Sequence, residues 1–193
     1  MRHLLPAAVL AAALALPGAA RAGLLVFSTP LAPEVAGSSG VGSARVSLDP
    51  VANTLRIEVA FAGLTGATTV AHIHCCTATP GSGTVGVAVT PGTLPGFPAG
   101  VTAGSYDHTV ATDLAVTYTA GFLGVGTPLD AEAALLAGMR AGTAYVNVHS
   151  SFAPGGEIRG FLAAVPEPAS LALLGLGLAG LGLTGRRREA RAA

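Results

Sequence analysis

The chain has 193 residues, no lysine and a formal net charge of zero. That neutrality hides an acidic middle: residues 23–164 carry four arginines against eight carboxylates, a net of −4, which excludes the electrostatic footprint of a nucleic-acid binder. Few charges with abundant Gly, Ala, Val and Thr suit a β protein with many turns, and the length suits one domain between two processing segments.

The first segment opens with Arg2 and His3, runs apolar over 4–16, breaks at Pro17-Gly18 and ends in Ala20-Arg21-Ala22. A short basic start, an apolar middle and an A-x-A site predict a signal peptide over 1–22, removed by signal peptidase. A first short strand is expected over 24–29, followed by a Pro-, Gly- and Ser-rich loop over 30–42. Residues 43–48 and 54–61 alternate apolar and polar and are joined by Asp49-Pro50-Val51-Ala52-Asn53, which predicts a hairpin. Arg45 or Arg56 is placed to meet Glu58 on its solvent face.

Residues 70–76 read Val-Ala-His-Ile-His-Cys-Cys. On a strand His72 and His74 share one face, and Ala71 and Ile73 the other. A loop over 77–84, a brief strand over 85–89 and a long irregular excursion over 91–104 follow. Residues 105–111 form a strand candidate with Tyr106, His108 and Val110 on one face. Residues 112–122 show no clear period. Thr127-Pro128-Leu129-Asp130 opens the one short helix with a capping box; Leu129, Ala133, Leu136 and Met139–Arg140 would form its apolar face, and Gly142 can end it. The last strands are expected over 144–150 and 157–162. On the first of these Tyr145, Asn147 and His149 share a face. The fold class predicted is all-β: an antiparallel Greek-key β-sandwich with one short helix, over 23–164.

The final segment, 165–193, begins Val165-Pro166-Glu167-Pro168, continues as an uncharged apolar run over 169–185 and closes on Arg186, Arg187 and Arg188. As a helix the run spans about 25 Å, at the lower limit for crossing a bilayer, with the arginines held on the cytoplasmic side. Pro-Glu-Pro, one apolar helix and an Arg cluster resemble the PEP-CTERM sorting signal of Gram-negative bacteria that make extracellular polysaccharide. The resemblance implies processing by an exosortase. It also implies an intermediate anchored in the inner membrane, and delivery to the cell surface or extracellular matrix, where polysaccharide is a candidate partner.

Ala71-His72-Ile73-His74, Asn147-Val148-His149-Ser150 and Gly155-Gly156-Glu157-Ile158-Arg159-Gly160 together resemble the CHRD domain. That resemblance implies a fold more than an activity. A looser one, to Cu/Zn superoxide dismutases, would make His72, His74 and His149 three copper ligands. The chain departs from that pattern in having no His-rich loop after His74, no clear bridging histidine, and an Arg159 at the wrong spacing from His149.

Read as residues, three imidazoles suit zinc or copper, with water or a cysteine as a further ligand; the alternative is a hydrogen-bonded network that fixes the strands. Cys75 and Cys76 cannot easily stay idle in an oxidising compartment. A vicinal disulfide ending the strand is favoured, with metal ligation or intermolecular pairing as alternatives. Glu157 and Arg159 share a strand face, where a salt bridge between them would close the last turn, with the Gly-rich motif around them, like Asn147, structural; the alternative is an Arg159 that binds a carboxylate ligand. Since no catalytic constellation stands out, the expectation is a non-enzymatic exported surface or matrix protein, with a dismutase-like oxidoreductase as the alternative.

Overall fold

The computed structural model describes residues 23–124 and 126–166. The expected signal peptide, the expected membrane helix, and Glu167, Pro168, Arg186, Arg187 and Arg188 lie outside the described residues. Among the described residues no helix is long and apolar enough to cross a membrane.

Antiparallel strands form a single curled sheet whose two halves close on one core. The first half is built on the predicted hairpin, β2 (Val41–Asp49) and β3 (Thr54–Ala62), in register from Val41↔Ala62 to Asp49↔Thr54. The turn is set by the Asp49 carboxylate, which accepts the Val51 and Ala52 amides at 2.9 and 3.0 Å, and by Asn53 at φ +51°. Strand β6 (Gly104–Ala111) lies beside β3, and β1 (Leu25–Pro33) beside β2. The second half runs β5 (Val87–Val89), β4 (Thr68–His74), β7 (Tyr145–Ser150), β8 (Ile158–Phe161).

β1 joins the halves. Residues 25–31 pair with β2, whereas Ala32 and Pro33 pair with β8. The strand is therefore longer than the sequence suggested. Its prolines, read as breakers, sit where the chain leaves one partner for the other, and Leu31 still enters the core. A two-residue strand, β9 (Ala163–Ala164), returns along β1. Val46, Leu48, Leu55 and Ile57 of one half and Ala71, Ile73, Val146, Val148 and Ile158 of the other are fully buried in one cluster. Burying each of the Val, Leu and Ile side chains contributes about 1.5–3 kcal/mol.

Residues 112–122, without a readable period, hold a single 3₁₀ turn (Ala115–Thr117) and the four-residue helix α1 (Ala120–Leu123), capped by Thr119. Helix α2 (Pro128–Arg140) starts at the predicted capping box: Thr127 Oγ1 accepts the Asp130 amide and Asp130 accepts the Thr127 amide. Of the expected face Met139 is fully buried and Leu136 half-buried, but Leu129, Ala133 and Arg140 are exposed; Ala131, Glu132, Leu135 and Gly138 face inward in their place. One polar and one steric demand set the rotation: Glu132 accepts the buried Thr112 hydroxyl, and Gly138 leaves room for the sulfurs of Cys75 and Cys76. On the solvent face Arg56 reaches Glu58 at 3.0 Å and clamps Asp107 through Nε and Nη2 at 2.8 and 2.6 Å, while Arg45 approaches Glu58 at 3.8 Å.

Candidate metal centre

The outer face of the second half is lined not by solvent but by loops. His72 and His74 project from β4, and Tyr145, Asn147 and His149 from β7, with Asn147 directly opposite His72. Ala71, Ile73, Val146 and Val148 alternate with them into the core, as the two-residue period requires. All three imidazoles are buried, between 7 and 8% exposed.

One nitrogen from each of His72, His74 and His149 falls within 4.8 Å of the others. The opposite nitrogen of each ring faces a backbone carbonyl: His72 Nε2 to Gly92 O at 2.9 Å, His74 Nδ1 to Val85 O at 2.8 Å, His149 Nδ1 to Pro154 O at 2.9 Å. A carbonyl only accepts, so these acceptors assign the proton to the engaged nitrogen and a lone pair to the other. The lone pairs of His72 Nδ1 and His149 Nε2 then face each other at 3.3 Å, and His74 Nε2 is buried with no hydrogen-bond partner among the described residues.

Two lone pairs at that separation repel unless a cation lies between them. A proton on His72 or His74 is disfavoured: burial, with a smaller contribution from neighbouring histidines, pushes His72 below the ordinary histidine range and His74 down to about 4, against the opposing pull of their carbonyl bonds. A metal ion is desolvated here too, but coordinate bonds from three nitrogens offset that cost. Zinc–nitrogen bonds in a tetrahedron set nitrogen–nitrogen edges of about 3.3–3.4 Å, and a carbonyl on the far nitrogen is the usual outer support of a ligating histidine. The His72–His149 separation matches such an edge and the other separations lie within 4.8 Å, so in donor chemistry the set suits zinc or copper. The His74 ring also stacks on Tyr145, centroids 4.7 Å apart and planes inclined by 4°.

The cysteines take another direction. Cys75 and Cys76 follow the last residue of β4 and are bonded to each other, with both sulfurs against Gly138 of α2. Neither is a free thiol. His108 is on β6, in the other half of the sheet, and exposed, so it is no bridging ligand.

Glu157 and Arg159 do not form the expected pair. Arg159 continues the outer face: it binds Glu34 at 3.0 Å, donates to Gly83 O at 3.0 Å and lies over the Tyr145 and Phe161 rings. Glu34 also accepts Asn147 Nδ2 at 3.1 Å. Glu157 precedes β8 at a corner made by Gly156, at φ +130°, where a Cβ would strike Asn147 and Glu34. From there its carboxylate turns into the loops and accepts Ser38 Oγ at 2.9 Å, the Thr65 amide at 2.6 Å, the Gly66 amide at 3.3 Å and the Ser150 hydroxyl. Burial raises this carboxyl, but the four hydrogen bonds outweigh it and hold it below the usual glutamate range. Strand alternation alone pointed to an ion pair, and it missed both Glu34 and the carbonyls of Val85, Gly92 and Pro154. No motif marks these, because any loop residue offers a carbonyl.

A family model described as CHRD domain matches residues 27–162, and one described as PEP-CTERM protein-sorting motif matches residues 164–188. No curated protein and no solved structure matches the chain.

Proposed function

The chain belongs to the CHRD domain family and carries a PEP-CTERM sorting motif, so it is an exported, exosortase-sorted protein; from that premise we propose that it is a non-enzymatic surface or matrix protein whose domain holds one zinc or copper ion on His72, His74 and His149. The observation that carries the metal reading is the cluster of three buried histidines, one nitrogen of each within 4.8 Å of the others, with a carbonyl against the ring of each. A purely structural histidine network would satisfy these nitrogens with one another, and His74 Nε2 is not satisfied.

The sequence of events begins with signal peptidase at 1–22. The tail then holds the domain on the outer side of the inner membrane, until exosortase cuts near Pro166-Glu167-Pro168 and releases it toward the polysaccharide layer. The metal has a binding role in this reading. A dismutase-like cycle is not favoured, because copper turnover of that kind uses a bridging histidine and a guiding arginine. His108 stands in the other half of the sheet, and Arg159 is held by Glu34 and Gly83.

Elemental analysis of the protein purified from its own periplasm tests the metal. One equivalent of zinc or copper is expected, and its loss in His72→Ala. Metal-free protein that also fails to take up either ion in vitro would remove the metal from the proposal. Deleting 165–193 tests the address, since unchanged final localisation would remove the sorting step.

A further inference from the structure

Both termini of the domain leave at the same end. Leu25 pairs with Leu48, Leu48 with Leu55, and Thr54 with Ala111, so the start of β1, the β2–β3 turn and the end of β6 are level. The chain also exits there, because the Val165 amide donates to Val26 O at 2.8 Å, and the Thr112 amide bonds Asn53 O across the same end. Exposed apolar side chains gather on it: Leu24, Val51, Leu114, Val165 and, at 76% exposure, Val116. Val51 is presented by the turn that Asp49 braces, and Leu114 and Val116 by the 3₁₀ segment, which is tied to β6 by Thr117 Oγ1 bonding Ala111 O at 2.5 Å.

What lies against this end follows from the length of the connection. Only Glu167 and Pro168 separate Pro166 from the uncharged run 169–185. Three residue steps reach at most about 10–11 Å. While that run is in a bilayer, this end cannot be farther from the lipid surface than that, whereas the opposite end lies about 27 Å away along a nine-residue strand. We infer that the end bearing Val51, Leu114 and Val116 is the membrane-facing pole of the domain, its apolar side chains resting in the interfacial layer of the bilayer before the tail is cut. The inference rests on the tail's insertion. Asp49 and Asp113 border the patch, so the contact is apolar, needs no anionic lipid and survives added salt.

The chain contains no tryptophan, so one introduced residue is a unique reporter. V116W, L114W and V41W chains that begin at residue 23 and keep 165–193 are reconstituted into phosphatidylcholine vesicles with or without bromination at shallow acyl positions; Val41 is the exposed control at the far end of β2. V116W and L114W are expected to lose emission to brominated lipid, and V41W to keep it. Vesicle-associated chain with all three unquenched overturns the inference and leaves the sorting reading intact. Blue-shifted but unquenched V116W emission assigns the patch to a protein partner, a second copy included, and overturns it too. A chain that does not float with vesicles defeats the tail's insertion and the inference with it.

Discussion

His72 Nδ1 lies 3.3 Å from His149 Nε2, although the two residues are 77 positions apart in the chain. The pairing of β4 with β7 makes that approach, and the carbonyls of Gly92 and Pro154 decide which nitrogen of each ring takes part. Titration with zinc is accordingly expected to saturate at one ion per chain, and His149→Ala to abolish uptake. His108→Ala, in the other half of the sheet, should bind like the unaltered protein. At a free-metal concentration a hundredfold above Kd, binding adds about 2.7 kcal/mol to stability. Calorimetric titration and a melting curve with and without zinc check both statements; uptake by the His149 or His72 variant equal to that of the unaltered protein would refute the site.

Glu157 supplies a pH-dependent part of the stability. Its folded pKa is depressed below the ordinary value of 4.5, so the unfolded chain takes up this proton first as pH falls. Between 4.5 and the lower folded value the unfolded state binds more protons, and stability declines with falling pH; above 4.5 the contribution is complete and flat. Glu157→Gln keeps the shape and removes the titration. Denaturant melts from pH 7 to 3 should show the two proteins converging below pH 4.5, with a constant gap above it. Parallel curves throughout would mean that Glu157 is not the linked group. Glu157→Ala leaves four donors without their acceptor and should cost about 3–5 kcal/mol.

The hairpin, the alternation around His72, His74 and His149, and the capping box at Thr127 were legible because each follows a local rule: a period of two, a turn, or an i to i+3 contact. What was not legible depends on elements distant in sequence. The switch of β1 from β2 to β8 needs the position of β8. The rotation of α2 needs the disulfide and Thr112. The partners of Glu157 come from residues 38, 65, 66 and 150, and no periodicity in 157–162 encodes them. The three histidines could be named from sequence, but the lone-pair argument could not, because the carbonyls that assign the tautomers lie in loops without a motif.

Arg159 and Glu34 form a half-shielded pair, 23 and 16% exposed, on the same face as the histidines. Arg159→Ala removes the charge, the Gly83 contact and the cover over Tyr145 and Phe161, and strands the Glu34 carboxylate beside Asn147. A loss of about 1–3 kcal/mol is expected, and Glu34→Gln with Arg159→Ala should recover part of it, since the stranded carboxylate is then gone. A double-mutant cycle by urea melts measures this coupling. Additive losses would show that the pair contributes nothing beyond packing.

Gly138→Ala separates helix propensity from packing. In an unconstrained helix interior, replacing glycine with alanine stabilises by about 1 kcal/mol. Here a Cβ would run into the sulfurs of both Cys75 and Cys76, and neither can swing away, because each is bonded to the other. The substitution should therefore destabilise, by about 1–3 kcal/mol as for other overpacked sites. In a Cys75→Ala, Cys76→Ala background both sulfurs are absent, and the same change should become neutral or stabilising. Thermal melts of the four proteins give the answer as a change of sign. If Gly138→Ala has the same effect in both backgrounds, α2 does not pack on the disulfide, and the rotation of its buried face needs another cause.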